Sequence, residues 1–169
     1  MHMDFIEISP NDITDNTFKL IADDWMLLTA GTIDSYNCMT ASWGGFGVLW
    51  FKPVVFVFIR PQRYTHNFFE TNNYFTLTFF DESYRNTLQF CGKHSGRTVN
   101  KAKECNIHPF KTLHNSVAFS EAKLVIECKK LYSNSLQESS FLEKEHLRHY
   151  ANKDFHTMYI GEIVSCLKK

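Results

Sequence analysis

The chain has 169 residues, 44% of them hydrophobic, and its 18 lysines and arginines are matched by 18 aspartates and glutamates, giving zero net charge. That balance argues against nucleic acid or an anionic membrane surface as the main partner, and the length predicts one domain over 1–169. Five cysteines, Cys38, Cys91, Cys105, Cys128 and Cys166, form no CxxC pair. With no signal peptide ahead of them, they predict reduced thiols in the cytoplasm.

An aromatic share of 15%, with 16 phenylalanines, favours strands over helices. Residues 1–13 read as an extended lead-in, Phe5 to Ile8, stopped by Ser9-Pro10. The spacing of Phe18 and Ile21 predicts a short helix over Thr14–Ala22, capped by Thr14 or Asp15. Trp25 to Ala30 is strand-like, and Gly31 to Ser35 is a turn. Tyr36 to Thr65 then reads as two strands joined by the glycine-rich Gly44-Gly45-Phe46-Gly47. The first strand ends in Thr40, Ala41 and Ser42 before Trp43; the second is Val54 to Ile59.

Thr65 to Thr71 predicts a helix carrying Phe68 and Phe69. Tyr74 to Phe80 alternates, with Phe75, Leu77 and Phe79 on one face and Tyr74, Thr76, Thr78 and Phe80 on the other. Asp81 is the expected N-cap of a helix over Glu82–Cys91, followed by a loop at Gly92–Gly96 and a helix over Val99–Cys105. Ser116 to Leu131 returns to β character, Ser140 with Glu143 suggests a capping box for a helix reaching Tyr150, and Met158 to Leu167 is the last strand. Strands dominate and helices serve as corner covers. The expected fold is mainly β, a closed or split β-barrel with short peripheral helices.

The longest apolar run, Phe46 to Ile59, is broken by Lys52-Pro53 and is too short to span a bilayer. Gly44-Gly45-Phe46-Gly47 is not a GxGxxG fingerprint, and no Walker A or Gly-x-Ser-x-Gly motif is present. His146 and His149 stand three apart but read as surface histidines, since no HExxH or completing ligand accompanies them. If the chain is an enzyme, a cofactor must carry the chemistry. The residues themselves suggest one. Thr40, Ala41 and Ser42 let a flat ligand approach the backbone, while Arg60, Arg63, Thr65 and a helix start make a phosphate seat. A planar platform beside a phosphate seat suggests a flavin mononucleotide (FMN) site.

Asn37-Cys38-Met39-Thr40-Ala41-Ser42-Trp43, Arg60-Pro61-Gln62-Arg63-Tyr64-Thr65, Phe90-Cys91-Gly92-Lys93-His94-Ser95-Gly96-Arg97 and His156 to Ile163, in that order and spacing, resemble the flavin reductase-like family. The nearest branch is its flavoredoxin-type, FMN-binding split barrels, and the likeness runs from about Asp24 onward. The resemblance implies that Met39, Thr40, Ala41, Ser42 and Trp43 run along the isoalloxazine. It implies that Arg60, Arg63, Tyr64 and Thr65 hold the phosphate and ribityl chain. Phe80, Cys91, Gly92, Ser95, Gly96 and Lys101 match positions near the cofactor, and His156 would line the flavin pocket. Cys38 and Cys91 read as small buried hydrophobes rather than redox thiols. The implied activity is flavin-dependent oxidoreduction: NADH or NADPH passes hydride to flavin N5, and electrons continue to a small-molecule or protein acceptor. No catalytic side chain and no metal are implied, and a homodimer with flavin sites near its interface is. The alternatives are a flavoredoxin-like electron carrier without a nicotinamide site, or a non-catalytic flavin-binding module.

Overall fold

The computed structural model describes residues 4–169, so the first three residues of the lead-in lie outside it. β1 (Ile6–Ile8) is followed by a 3-10 turn whose start is closed reciprocally by Ser9 and Asp12. The first helix, α1 (Thr17–Lys19), widens into a π turn at Leu20–Asp24. Its cap is Asn16, whose side chain accepts from the Lys19 N–H, rather than Thr14 or Asp15.

β2 (Met26–Thr32) and β3 (Ser35–Ala41) form a hairpin, and β4 (Gly44–Leu49) and β5 (Lys52–Ile59) form another. The glycines expected to turn the chain therefore belong to a strand. They make room for the Phe56 side chain of β5, which lies against Gly45 and Gly47. The turn falls instead on Trp50 and Phe51, both with positive φ, 51° and 60°. Such a two-residue turn matches the twist of paired strands but is strained for bulky residues.

α2 (Tyr64–Thr71) leads into β6 (Tyr74–Phe79). Phe75, Leu77 and Phe79 join the barrel core, as the alternation predicts, while Phe80 packs outside with the second cluster. The helix expected from Glu82 begins as a 3-10 turn over Glu82–Tyr84 and becomes α3 (Arg85–Lys93); Asp81 makes no capping bond. The next helix is shorter than expected, α4 (Lys101–Glu104), capped by Asn100. A small sheet of β7 (Pro109–Lys111) and β8 (Val117–Phe119) precedes β9 (Leu124–Ser135), so the expected Ser116–Leu131 strand is two elements. Between 138 and 150 the chain makes 3-10 turns with no side-chain cap, not a capped helix. β10 (Thr157–Lys168) closes the chain.

Eight strands build one antiparallel sheet in the order β3-β2-β6-β9-β10-β5-β4, with β1 added to β10. Its inner face holds a core of Met26, Leu28, Phe69, Phe75, Leu77, Ile126 and Tyr159, among others. A second cluster, with Leu27, Phe80, Leu88 and Phe119, seals α3, α4 and β8 onto the outside. The sheet does not close: β3 and β4 are its two free edges, joined in sequence only by Ser42 and Trp43. Three Cα steps span at most about 11 Å, so the sheet must coil until its ends nearly meet. The outcome is a barrel with one split, and the split bears the unpaired backbone.

Candidate functional site

β3 pairs with β2 alone, so its other edge keeps its main-chain groups. The Cys38 carbonyl accepts a bond from Lys101 and so points away from β2. In an antiparallel ladder alternate residues present both main-chain groups to the same side. The N–H and C=O of Thr40 therefore also face the open edge. The Thr40 hydroxyl is used elsewhere, donating to the Leu88 carbonyl of α3 at 2.5 Å.

Three adjoining cavities follow this edge. One of about 240 Å³ is lined by Met39, Thr40, Ala41, Ser42, Trp43, Phe58, Arg60, Arg63 and His156. A shallower one of about 330 Å³ shares Thr40, Ala41 and Ser42 and adds Trp25, Leu88, Gln89 and Gly92. The third, about 110 Å³, gathers Asn37, Arg63, Tyr64, Thr65, Gly92, Ser95, Gly96 and Lys101. Fourteen of the sixteen expected residues are thus brought to one continuous cleft. Phe80 and Cys91 are not. Phe80 packs at a tilt against Tyr84 and Phe119 in the outer core. The Cys91 thiol is buried against Cys38, a hydrogen bond that with burial pushes its pKa up. Cys91 acts through its carbonyl, which holds Lys101.

The small cavity is cationic. Lys101 is 5% exposed, and its Nζ donates to the carbonyls of Cys38 at 2.6 Å and Cys91 at 2.9 Å. An ammonium has three protons, which leaves one donor for the cavity. Arg63 is half-buried and donates from Nη1 to the Gly92 carbonyl at 3.0 Å. Burial lowers the pKa of both. Among the described residues neither forms an ion pair. Two cations drawn this far from water without a carboxylate are costly unless an anion joins them. Thr65, 1% exposed, accepts from Asn37 Nδ2 at 2.8 Å and keeps its own proton to donate. Gly96 is required by close approach: a Cβ there would sit 1.9 Å from Asn37 Oδ1.

Arg60 behaves differently from Arg63. Its Nη1 bonds Asp154 at 2.5 Å, its Nη2 donates to the His149 carbonyl at 2.8 Å, and its guanidinium lies over the Tyr150 ring. The two arginines expected at a phosphate seat thus differ: Arg60 is paired with Asp154 and lines the larger cavity, whereas Arg63 has no carboxylate partner among the described residues and lines both the larger and the small cavity. In return, Arg60 holds the Asp154 carboxyl below the usual range. This pairing fastens the 138–156 segment beside the cleft, where Trp43 stands next to His149 and His156. His156 is 8% exposed, bonded through Nδ1 to the Tyr150 hydroxyl at 2.8 Å. Burial first, then the Arg60 charge, lowers its pKa to about 4, so the ring is neutral at pH 7.

Sequence reasoning missed Asn37 and Phe58. Asn37 stands at the head of the first motif but was given no role of its own; Phe58 carried no signal. The carboxylates of Glu143 and Glu145 do accompany His146, against the expectation that none would; all three are exposed.

The coiled sheet with one split and a cationic cleft along its β3 edge defines an FMN-binding-type split β-barrel. The family model described as flavin reductase like domain matches residues 18–168, and the chain belongs to that family. Among solved structures it is similar to flavoredoxin of Desulfovibrio vulgaris (Miyazaki F), at 21% identity and a TM-score of 0.66, covering 95% of this chain and 75% of that one. It is also similar to an FMN-binding protein from Thermus thermophilus with bound p-hydroxybenzaldehyde, at 19% identity and 0.69, covering 86% and 71%. An NADH:FAD oxidoreductase from Streptomyces globisporus C-1027, in complex with NAD and FAD fragments, aligns at 14% and 0.64, covering 86% and 74%. No curated protein matches the sequence significantly. Among the described residues no helix is long and apolar enough to cross a membrane.

Proposed function

We propose that the cleft binds FMN and that the protein is an NAD(P)H-dependent flavoprotein oxidoreductase. The observation that carries the reading is the pair of cations, buried Lys101 and half-buried Arg63, without carboxylate partners beside an unpaired strand edge. A phosphate monoester carries close to two negative charges near neutral pH and supplies the missing counter-charge. Arg63, Lys101 and the Thr65 hydroxyl would hold that phosphate, while the Thr40 main chain offers a donor and an acceptor to the polar edge of a flat ring. FMN, when bound, supplies the two-electron chemistry between a reduced nicotinamide and an acceptor. The chain's own part is to fix the ring on β3, exclude water with Trp43 and the 138–156 segment, and present neutral His156 rather than a competing charge.

Anaerobic mixing of the FMN-loaded protein with NADH and NADPH tests the donor assignment. Fast bleaching of the visible flavin bands by either is the expected result. Bands that persist with both, yet bleach with dithionite or a reduced ferredoxin-type protein, would make the protein an electron carrier instead.

A homodimer belongs to the same proposal. Edge strand β4 ends in exposed Val48, Trp50 and Phe51, the last fully so, in a strained turn. Exposed apolar edges invite pairing, and a chain without net charge offers little repulsion. Sedimentation should show a dimer for the native chain and a shift toward monomer for Phe51→Ser. A native monomer would remove this part of the proposal. The expected cytoplasmic location rests on the five cysteines, all free.

A further inference from the structure

Three of the five cysteines meet in one place. Cys38 on β3 and Cys91 on α3 are both buried in the outer cluster, and Cys105, directly after α4, packs against that cluster from a half-buried position. Lys101 ties the first two together. Its Nζ donates to the Cys38 carbonyl at 2.6 Å and to the Cys91 carbonyl at 2.9 Å, so strand and helix meet across one ammonium. The two thiols also share a hydrogen bond. That bond first, and the Lys101 charge as well, hold the Cys38 thiol below its usual range although burial opposes them. Cys128 and Cys166, in the barrel core, are the contrast: burial first, then neighbouring groups, push both thiols up. Cysteines react as thiolates, and a nearby cation is what makes a thiolate available. Cys38 also lines the largest cavity, about 500 Å³, alongside Asn37 and Lys101, which brings open space up to that residue.

We propose that Cys38 and Cys91 are a redox-active pair, closed to a disulfide by hydrogen peroxide, and that closure weakens flavin binding through Lys101. The second half rests on the reading that Lys101 takes the flavin phosphate. The Cys38 thiolate attacks one oxygen of the peroxide, the O–O bond breaks, hydroxide leaves, and Cys38 becomes a sulfenic acid. The Cys91 sulfur then attacks the Cys38 sulfur. The S–S bond forms as the S–O bond breaks, and the departing hydroxide takes the Cys91 proton to leave as water. Two electrons have passed from the thiol pair to the peroxide. A disulfide holds its sulfurs about 2.05 Å apart, well inside the reach of a thiol–thiol hydrogen bond. Closing it draws β3 and α3 together and shifts the two carbonyls between which Lys101 is held. The sequence suggested inert hydrophobes at both positions; their shared ammonium is what changes that reading. In a reducing compartment such a bond is transient and signals oxidant rather than fastening the fold.

The test treats the full chain with hydrogen peroxide, blocks the remaining thiols in denaturant, and maps the peptides by mass spectrometry without reduction. Two of the five thiols should be lost, and the new bridge should join Cys38 to Cys91. FMN affinity, read by fluorescence titration, should fall about tenfold on oxidation and return with dithiothreitol. Cys38→Ala and Cys91→Ala are each compared with themselves before and after peroxide, and neither should respond. Where a variant does not fold, the map of the native chain decides. Five intact thiols, a bridge between Cys91 and Cys105 instead, or Cys38 driven to a sulfinic acid without a bridge would overturn the pair. A Cys38–Cys91 bridge that leaves FMN affinity unchanged would overturn the link through Lys101. If the chain binds no FMN at all, the flavin reading fails and that link with it, while the peptide map still decides for or against the pair.

Discussion

Replacing Arg63 with alanine should weaken FMN binding about 10- to 150-fold without destabilising the protein free of flavin. A hydrogen bond to a charged group contributes about 1.5–3 kcal/mol, and each 1.4 kcal/mol is tenfold in affinity. Arg63 is half-buried, donates only to the Gly92 carbonyl and has no carboxylate partner among the described residues. Removing it therefore relieves a desolvation cost in the flavin-free protein, whose melting temperature should stay level or rise. That combination separates a ligand-binding cation from a structural one. Arg60→Ala supplies the contrast. Its charge is already matched by Asp154, so FMN affinity should fall only a few-fold, while the 138–156 segment loosens. Equal losses for the two variants, measured by flavin fluorescence titration, would return Arg60 to the phosphate seat.

Acidification from pH 6.5 to 4 should cost up to about 3 kcal/mol of stability through His156. The group's pKa is about 4 when folded and near 6.5 when unfolded, so within that window the unfolded chain binds the extra proton and the folded one does not. By linkage, stability is complete above the unfolded value and is lost as pH falls toward the folded one. Asp24 and Asp154 also have lowered pKa values, and their contribution is lost at lower pH, below the ordinary carboxylate range. Denaturant unfolding of the native chain and of His156→Gln at intervals across this window separates the two. The variant should show a flat profile between 6.5 and 4, and a profile as steep as the native one would assign the loss to other groups.

The two arginines show where sequence reading succeeds and where it stops. A motif locates a cationic corner at residues 60–65. Only the fold reveals that Asp154, 94 residues later, neutralises one of its members. The same long-range logic explains Gly45 and Gly47. Glycines usually signal a turn, but these two face the Phe56 side chain across a hairpin, and small size rather than turning ability placed them there. Local patterns were legible wherever burial is periodic. In β6 the alternation of Phe75, Leu77 and Phe79 with Thr76, Thr78 and Phe80 predicted which side chains reach the barrel core. Helix limits were read less well, because the caps that operate, Asn16 and Asn100, compete with neighbours of nearly equal capping strength. The cleft was legible as a set of motifs. Its wall at Phe58 and the hydrogen bond from Asn37 to Thr65 were not, since each brings together residues distant in sequence.

The most direct test of the central claim compares the affinity of the native protein for FMN and for riboflavin, which differ only in the phosphate. If Arg63 and Lys101 await that phosphate, FMN should stay bound through desalting. Riboflavin should then bind about 100-fold more weakly or worse, a difference of about 3 kcal/mol. Equal affinity for the two, or no binding of either, would contradict a phosphate seat in this cleft.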